Sequence, residues 1–345
     1  MTQTLITGAT GFVGFHLIAA LRARGDSVRV LALPNESTAH LEQMGVIVHR
    51  GDVCQPDTLI EPMRGVDTIF HLAGVHGLWR PKQEYYAVNV GGTENACRAA
   101  LAAGVRRLVH VSSWVVYGMG LGHAVHEETP LRPIADTYAI TKAEADNLVQ
   151  RYIAQERLPA VIVRPGTMFG PGDRVNFGRM ADRLRAGKCI IIGSGRNALP
   201  FVYVTDVVQG MLAAASNDRA LGQAYNLSHD QPLTQKELWC AIAEEIGAKS
   251  PRLHVPYHLL YGLALVAERA VSPDNPQRQP ILTGLGVKLF GAENRHAIDK
   301  ARRELGYAPR VSVREGVRLA ASWYLQQQTS PARHASGTRS APQTI

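Results

Sequence analysis

Through the first half of the chain, short runs of β-branched and other apolar residues alternate with longer stretches whose apolar positions recur every three or four residues. The short runs are Thr4–Thr7, Ser27–Leu33, Val46–His49, Thr68–His71, Leu108–Ser112 and Ala160–Arg164. The longer stretches include Phe12–Arg24, Tyr85–Ala103 and Tyr138–Glu156. Strands separated by helices of this length predict right-handed βαβ units and a parallel sheet. Val109 to Val111 and Val161 to Val163 have the β-branched apolar character of strands covered on both faces. The fold class expected is α/β, a Rossmann-type doubly wound parallel sheet with a smaller α+β C-terminal substrate domain.

After Arg164 the pattern loosens, with Pro165-Gly166, Gly170-Pro171-Gly172 and Gly193-Ser194-Gly195 punctuating loops. Strand character returns at Phe201–Val204 and Tyr225–Leu227, around an apolar helix at Asp206–Ala215. The chain is therefore expected to divide into a dinucleotide-binding domain, residues 1–165 plus about 201–228, and a substrate domain, about 166–200 plus 229–325. Residues 329–345, rich in Ser, Thr, Pro, Gln and Ala, predict a disordered tail. The segment Tyr257–Val271 is apolar nearly all round and too short to span a bilayer. A buried helix is the plainer expectation. The alternative is a hydrophobic wall or lid for an apolar substrate, with peripheral membrane contact.

With 46% hydrophobic and 19% charged residues, the 345-residue chain suits a globular protein large enough to need no disulfide or metal staple. Cys54, Cys97, Cys189 and Cys240 form no CxxC pair, which suits reduced thiols in a cytoplasmic protein. His123 and His126 lie three apart in a glycine-containing stretch, and no metal site is expected there. No secretory leader and no membrane span are read from the sequence. The net charge of +8 comes with no nucleic-acid-binding motif, so a solvated basic face and tail account for it and no nucleic-acid partner is expected.

The first strand runs into Gly8, Ala9, Thr10, Gly11, Phe12, Val13 and Gly14, and this loop opens the first helix. Gly8 permits a tight turn, Gly11 lets backbone approach a pyrophosphate, and Gly14 lets the helix pack closely on the sheet. The helix N-terminus offers free N–H groups and a positive dipole to phosphate. The second strand is expected to end in an acid for the ribose or a cation for a 2′-phosphate, but Leu33, Pro34 and Asn35 offer neither. The missing cation favours NAD, with NADP left open. Asp52, beside Val53 after the third strand, is a candidate acceptor for the adenine amino group; as a structural residue it would cap a helix over Pro56–Met63.

Tyr138 and Lys142 stand four apart on one helix face. A phenol titrates near 10, about three units too high for acid–base work at neutral pH, and a neighbouring ammonium favours the phenolate. Ser112 and Ser113 end the fifth strand, at the sheet edge where doubly wound folds bind ligands.

TGATGFVG (7–14), HLAG (71–74), NVGGT (89–93), SSWVVYG (112–118), YAITK (138–142) and RPGTMFGPGD (164–173) resemble the extended short-chain dehydrogenase/reductase superfamily over residues 1–325. The resemblance implies an NAD(P)-dependent enzyme. Tyr138 would be its general acid/base, Lys142 the group that lowers its pKa and holds the nicotinamide ribose, and Ser113 the ligand of the substrate oxygen. It also implies that Ser112, Ala73, Gly74, Asn89 and Pro165 lie near the cofactor, and that the chain forms a homodimer through the helices carrying Asn89–Ala103 and Tyr138–Gln155.

Three departures from the nucleotide-sugar members choose the branch. Trp114 to Val116 stand where sugar dehydratases carry Asp and Glu, Thr167 replaces an asparagine, and Leu199-Pro200 replaces an Arg-Asp that grips diphosphate. The pattern is closer to the 3β-hydroxysteroid dehydrogenase-like branch, which implies interconversion of a secondary alcohol and ketone on a hydrophobic small molecule. The alternative is nucleotide-sugar 4-epimerisation. A non-enzymatic redox-sensing module is disfavoured because Ser113, Tyr138 and Lys142 are all present. Trp79, Met119, Leu121, Thr167, Met168 and Phe169 are candidates to line the substrate site.

Overall fold

The computed structural model describes residues 2–76, 80–271 and 280–329. The alternating first half builds β1 (Gln3–Thr7), β2 (Ser27–Ala32), β3 (Ile47–Arg50), β4 (Thr68–His71), β5 (Arg107–Val111) and β6 (Ala160–Pro165). Then come β7 (Thr167–Phe169), β8 (Ile191–Ile192), β9 (Phe201–Tyr203), β10 (Ala224–Leu227) and β11 (His254–Val255). Seven strands form one sheet in the order β10-β6-β5-β4-β1-β2-β3, parallel at every pair. β4, β5 and β6 are buried at every position, as strands with helices on both faces must be. The strand order reverses between β1 and β4, and the carboxyl ends of these two strands open the crevice where such sheets take ligands.

Three local expectations change. The stretch 85–103 is not one regular helix: residues Tyr86–Gly92 form a π-helical turn that hands over to an α-helix, Thr93–Ala102. The wider turn lets Asn89 leave the helix's own bonding and reach the loop after β4. Phe201–Tyr203 pairs with β7 in a separate two-stranded sheet, so only β10 returns to the main one. Thr329 ends the helix Val313–Thr329, and the rest of the expected tail lies outside the described residues.

The helix Tyr257–Arg269 (the outer helix) overturns the buried reading. Only Leu260 and Ala264 are buried, while Leu259, Leu263, Leu265 and Val266 are exposed. An apolar composition fixes no face, and the sheet offers this helix only one side. Its buried side packs with the helix Gly284–Gly291 (the inner helix) around Ile192 and Val287. Contact is close because a Cβ at Gly291 would come within 2.8 Å of the Tyr257 ring. Among the described residues no helix is long and apolar enough to cross a membrane, and no group of three His, Cys, Asp or Glu is placed to hold a metal.

Candidate active site

The glycine loop closes onto the strand beside it. Gly8 has φ +69°, and a Cβ there would lie 2.7 Å from the Ala73 nitrogen, so a side chain is excluded by both conformation and space. At Gly14 a Cβ would meet the Ala9 carbonyl at 2.5 Å, which only glycine avoids where the helix leans on its own loop. The first helix, Phe12–Ala23, starts from Gly11 with no side-chain cap, leaving its first N–H groups to face the crevice. Thr10, Phe12 and Val13 are half-buried around that opening. The Phe12 ring packs beside Gly170 and Gly172, and the His16 Nε2–H donates to the Pro171 carbonyl at 2.8 Å. The GPGD loop thus becomes a second wall of the crevice, which needed a contact across 155 residues to be seen.

Below the crevice a hydrogen-bonded chain fixes the ends of β1 and β4. Thr7 Oγ1 and His71 Nδ1 lie 2.8 Å apart, His71 Nε2 and Thr93 Oγ1 3.1 Å, and Thr93 Oγ1 donates to the Asn89 carbonyl at 2.6 Å. The directions agree when His71 accepts at Nδ1 and donates from Nε2. Burial, reinforced by Lys142, drops its pKa to about 3, so it stays neutral.

Several expected cofactor contacts have structural duties. Asn89 is 1% exposed, accepts from the Val75 N–H at 2.8 Å and donates to the Val75 carbonyl and Thr141 Oγ1, so it aims the Ala73–Gly74 loop and offers no free group to a ligand. Val53 is buried, and its carbonyl accepts from Asn95 Nδ2 at 2.9 Å. Asp52 does not cap the following helix, which begins at Asp57 after Pro56; its Oδ1 accepts from the Cys54 N–H at 2.9 Å instead. The end of β2 is also not bare. Glu36 Oε2 accepts from the Leu33 N–H at 3.0 Å, and Arg50 donates to the Leu33 and Glu36 carbonyls at 3.1 and 2.7 Å. The acid sits beyond the proline, and the cation arrives from the neighbouring strand, where Arg50 pairs with Ala32.

Tyr138 and Lys142 lie on the helix Thr137–Glu156 (the site helix), whose first turn is capped by Asp136 accepting from the Ala139 N–H at 3.0 Å. The Tyr138 phenol lies beside Ser113, whose side chain acts on it as a hydrogen-bonding neighbour. Its ring packs against a buried cluster of Trp114, Val115, Met119 and Ala139, on which Leu285 and Leu289 also rest, and the His76 ring centroid is 6.2 Å away. Lys142 Nζ donates to the Val111 carbonyl at 2.7 Å. Burial pulls its pKa down to about 8, with Asp146 pulling the other way.

One electrostatic expectation is corrected. Burial pushes the Tyr138 phenol above its ordinary value; the Ser113 hydrogen bond draws it back, and the Asp136 charge adds to the rise. In the chain alone, desolvation outweighs any help from Lys142, whose ammonium is engaged with the end of β5.

Ser112 faces the opposite way from Ser113. It donates to Asp146 Oδ2 at 2.6 Å, and Asp146 holds Arg164 through two bonds of 2.9 Å. Burial alone would raise the Asp146 carboxyl, but the guanidinium, Ser112 and Gln150 hold it below the usual range. Arg164 Nη1 also donates to the Tyr117 hydroxyl at 2.8 Å, and that hydroxyl donates to Asn226 Oδ1 at 2.7 Å. This buried network ties β5, the site helix, β6 and β10 together beneath Ser113. The Ser112 hydroxyl is part of that network and is not free for a ligand.

Among the proposed substrate residues, Met119 is packed against Trp114, and Thr167 Oγ1 accepts from the Trp114 indole N–H at 3.2 Å. Met168 is half-buried against the core of the main sheet, Leu121 is exposed, and Pro165 ends β6 opposite Leu227. Phe169 is corrected: it is fully buried among Phe177, Phe201 and Tyr203 and lines no cleft. Trp79 lies outside the described residues. Leu285 and Leu289 were missed; only the folding of a segment about 150 residues downstream puts them on the cluster that Tyr138 joins.

Residues 4–228 match the NAD dependent epimerase/dehydratase family. The chain belongs to that family. It is an NAD(P)-dependent oxidoreductase of the extended short-chain type. It is 31% identical over 330 residues to the 2-alkyl-3-oxoalkanoate reductase of Stenotrophomonas maltophilia, spanning 92% of this chain and 97% of that one. It is 32% identical over 318 residues to a 4-hydroxy-2-methyl-3-oxo-4-farnesyl-3,4-dihydroquinoline-1-oxide ketoreductase of Stigmatella aurantiaca, spanning 91% and 94%. Against the 3beta-hydroxysteroid-dehydrogenase/decarboxylase isoform 1 of Arabidopsis thaliana it is 30% identical, spanning 95% and 81%. Among solved structures, DesIV, the dTDP-glucose 4,6-dehydratase of Streptomyces venezuelae with NAD bound, superposes with a TM-score of 0.77 at 26% identity, covering 95% of this chain and 98% of that one.

If the crevice takes a dinucleotide, Gly8→Ala is expected to weaken NAD binding by at least about tenfold and to lower the thermal midpoint, since the added methyl must push the Ala73 backbone away. Isothermal titration and calorimetry check both.

Proposed function

We propose that this enzyme interconverts a ketone and a secondary alcohol on a hydrophobic, sterol- or lipid-like molecule, with Tyr138 as acid/base, Ser113 on the substrate oxygen, Lys142 beside the cofactor, and NAD as that cofactor. The observation that carries the reading is the apolar cluster that Tyr138 joins beside Ser113: Trp114, Val115, Met119 and Ala139, with Leu285 and Leu289 packed against the same cluster. Leu199, where a diphosphate-gripping arginine was looked for, is 1% exposed in a separate core, and Thr167 is engaged with Trp114. The relatives named for alkyl-oxoalkanoate, farnesyl-quinoline and steroid substrates point the same way.

The bound dinucleotide supplies or accepts the hydride. Ser113 Oγ and Tyr138 Oη together grip the substrate oxygen, and the proton passes between that oxygen and Tyr138. The phenol is protonated at neutral pH at its ordinary value and burial raises it further, so the chain holds the form that ketone reduction consumes. The free N–H groups after Gly11 fit a pyrophosphate, and Glu36 is the acid nearest the end of β2 for the adenosine ribose.

We also propose the two-domain division given above, with Phe201–Tyr203 moved to the substrate side because they pair with β7. The support is a second apolar core, built on Phe177, Phe201, Trp239 and Val317, apart from the cores flanking the main sheet. A homodimer through the helices Thr93–Ala102 and Thr137–Glu156 is proposed on the family resemblance.

The test is a matched panel under NADH or NADPH: a 2-alkyl-3-oxo acid, a 3-ketosteroid, UDP-glucose and dTDP-glucose. Turnover is expected with a hydrophobic ketone. Thermal stabilisation by the sugar nucleotides alone would replace this reading with sugar epimerisation.

A further inference from the structure

We propose that the outer helix is a docking face for an anionic lipid surface and lays the enzyme on the membrane with the candidate site one helix layer away. The purpose of such docking rests on the hydrophobic-substrate reading above; the docking itself does not.

Leu259, Leu263 and Val266 are 57%, 53% and 63% exposed and follow one another at the i, i+4, i+7 spacing of a single stripe, while Leu265, 36% exposed, turns toward Gly284 of the inner helix. Leu253 and Ile281, before and after the helix in sequence, are 63% and 88% exposed. Of the eleven large apolar side chains exposed among the described residues, six therefore fall between positions 253 and 281. Scattered singly they would need no explanation, but four of the six are on the outer helix, and three of those form one stripe that water disfavours. The opposite side of the same helix is already satisfied by Leu260 and Ala264 packing on Ile192 and Val287. The helix is thus apolar on two sides and covered on one.

Charge decides what covers the other. Residues 249–271 and 280–291 contain Lys249, Arg252, Arg269 and Lys288 against the single acid Glu268. Lys249, Arg252 and Arg269 are exposed, while Glu268 Oε1 accepts from the Gly284 N–H at 2.9 Å and so turns toward the inner helix. An apolar stripe on a segment with three exposed cations and, among its described residues, no exposed carboxylate complements anionic headgroups above acyl chains. A second copy fits worse, because an isologous pairing would bring two sets of these cations together. Thirteen residues of helix span about 20 Å, too little to cross, so the helix lies in the interface plane.

The same helix is coupled to the site. Gly284 and Gly291 of the inner helix sit against Tyr261 and Tyr257 of the outer one, and the inner helix's Leu285 and Leu289 rest on the Tyr138 cluster. Neighbouring helix axes lie about 8–10 Å apart, so docking sets Tyr138 close to the acyl boundary.

Co-sedimentation of the full chain with phosphatidylserine–phosphatidylcholine vesicles tests this without any substrate. Binding is expected to the mixed vesicles, to weaken in high salt, and to be much weaker on pure phosphatidylcholine. The double variant Leu263→Ser, Val266→Ser is expected to lose about a hundredfold in partitioning, and Arg252→Gln with Arg269→Gln about tenfold or more. Both variants are expected to keep wild-type turnover of a short, water-soluble ketone, which shows that they fold and separates this proposal from the assignment of the chemistry. The proposal is overturned if the wild type ignores anionic vesicles, if both variants bind like it, or if sedimentation velocity shows a dimer that the apolar variant dissolves.

Discussion

Tyr138→Phe is expected to slow hydride transfer by about a thousandfold while leaving NAD affinity within about threefold of wild type. The loss is the size ordinarily attributed to a positioned proton donor. The substitution removes one hydroxyl, which lies beside Ser113, and leaves the ring in its place against the cluster of Trp114, Val115, Met119 and Ala139. Single-turnover absorbance at the reduced nicotinamide band, with nucleotide binding followed in parallel, separates chemistry from binding. A variant that transfers hydride at a near-normal rate would remove Tyr138 from the mechanism.

Lys142→Met is expected to be nearly inactive and yet more stable than wild type in the absence of nucleotide. Burying an ammonium costs free energy, and here the cost appears as a pKa lowered from 10.5 to about 8. The difference corresponds to roughly 3 kcal/mol, less the hydrogen bond to the Val111 carbonyl that the variant gives up. The sign follows from proton counting. Below pH 8 the lysine is charged in both folded and unfolded chains, and the whole burial cost is felt. Between about 8 and 10.5 the unfolded chain binds more protons than the folded one, so this group's contribution makes the wild type gain stability as pH rises. The advantage of Lys142→Met should therefore be greatest at pH 7, shrink across that window and disappear above it. Chemical denaturation at several pH values measures it, and a variant less stable than wild type at pH 7 would refute the account. Such a charge, held at a stability cost, is what a working site retains and a purely structural one discards.

Much of the fold was legible because its signals are local. Each βαβ unit announces itself within some thirty residues, and Gly8, Gly11 and Gly14 need only the strand before them and the helix after. Tyr138 and Lys142 were legible for the same reason: a four-residue spacing puts them on one helix face. What escaped depends on contacts between distant positions. Nothing in the sequence near Ser112 says that its hydroxyl turns to Asp146, because that choice is made by Arg164 arriving on the next strand. Arg50 was invisible as a cation at the end of β2 because it belongs to β3. Phe169 could face either a cleft or a core, and its fate was set by Phe201 and Tyr203 more than thirty residues on. The outer helix was misjudged for a different reason. Periodicity identifies a face only when polar residues mark the other side, and in Tyr257–Arg269 they do not.

The position of β10 has a consequence for how the protein is made. β6, which reads AVIVRP, remains an open edge of the sheet until residue 227 has been synthesised. At ordinary elongation rates the 62 intervening residues take roughly 3 to 12 seconds, during which a nascent chain displays an unpaired apolar strand and the Arg164 network lacks its Asn226 terminus. The ribosome-bound intermediate is therefore the most aggregation-prone form of this polypeptide, and the form on which chaperones should act.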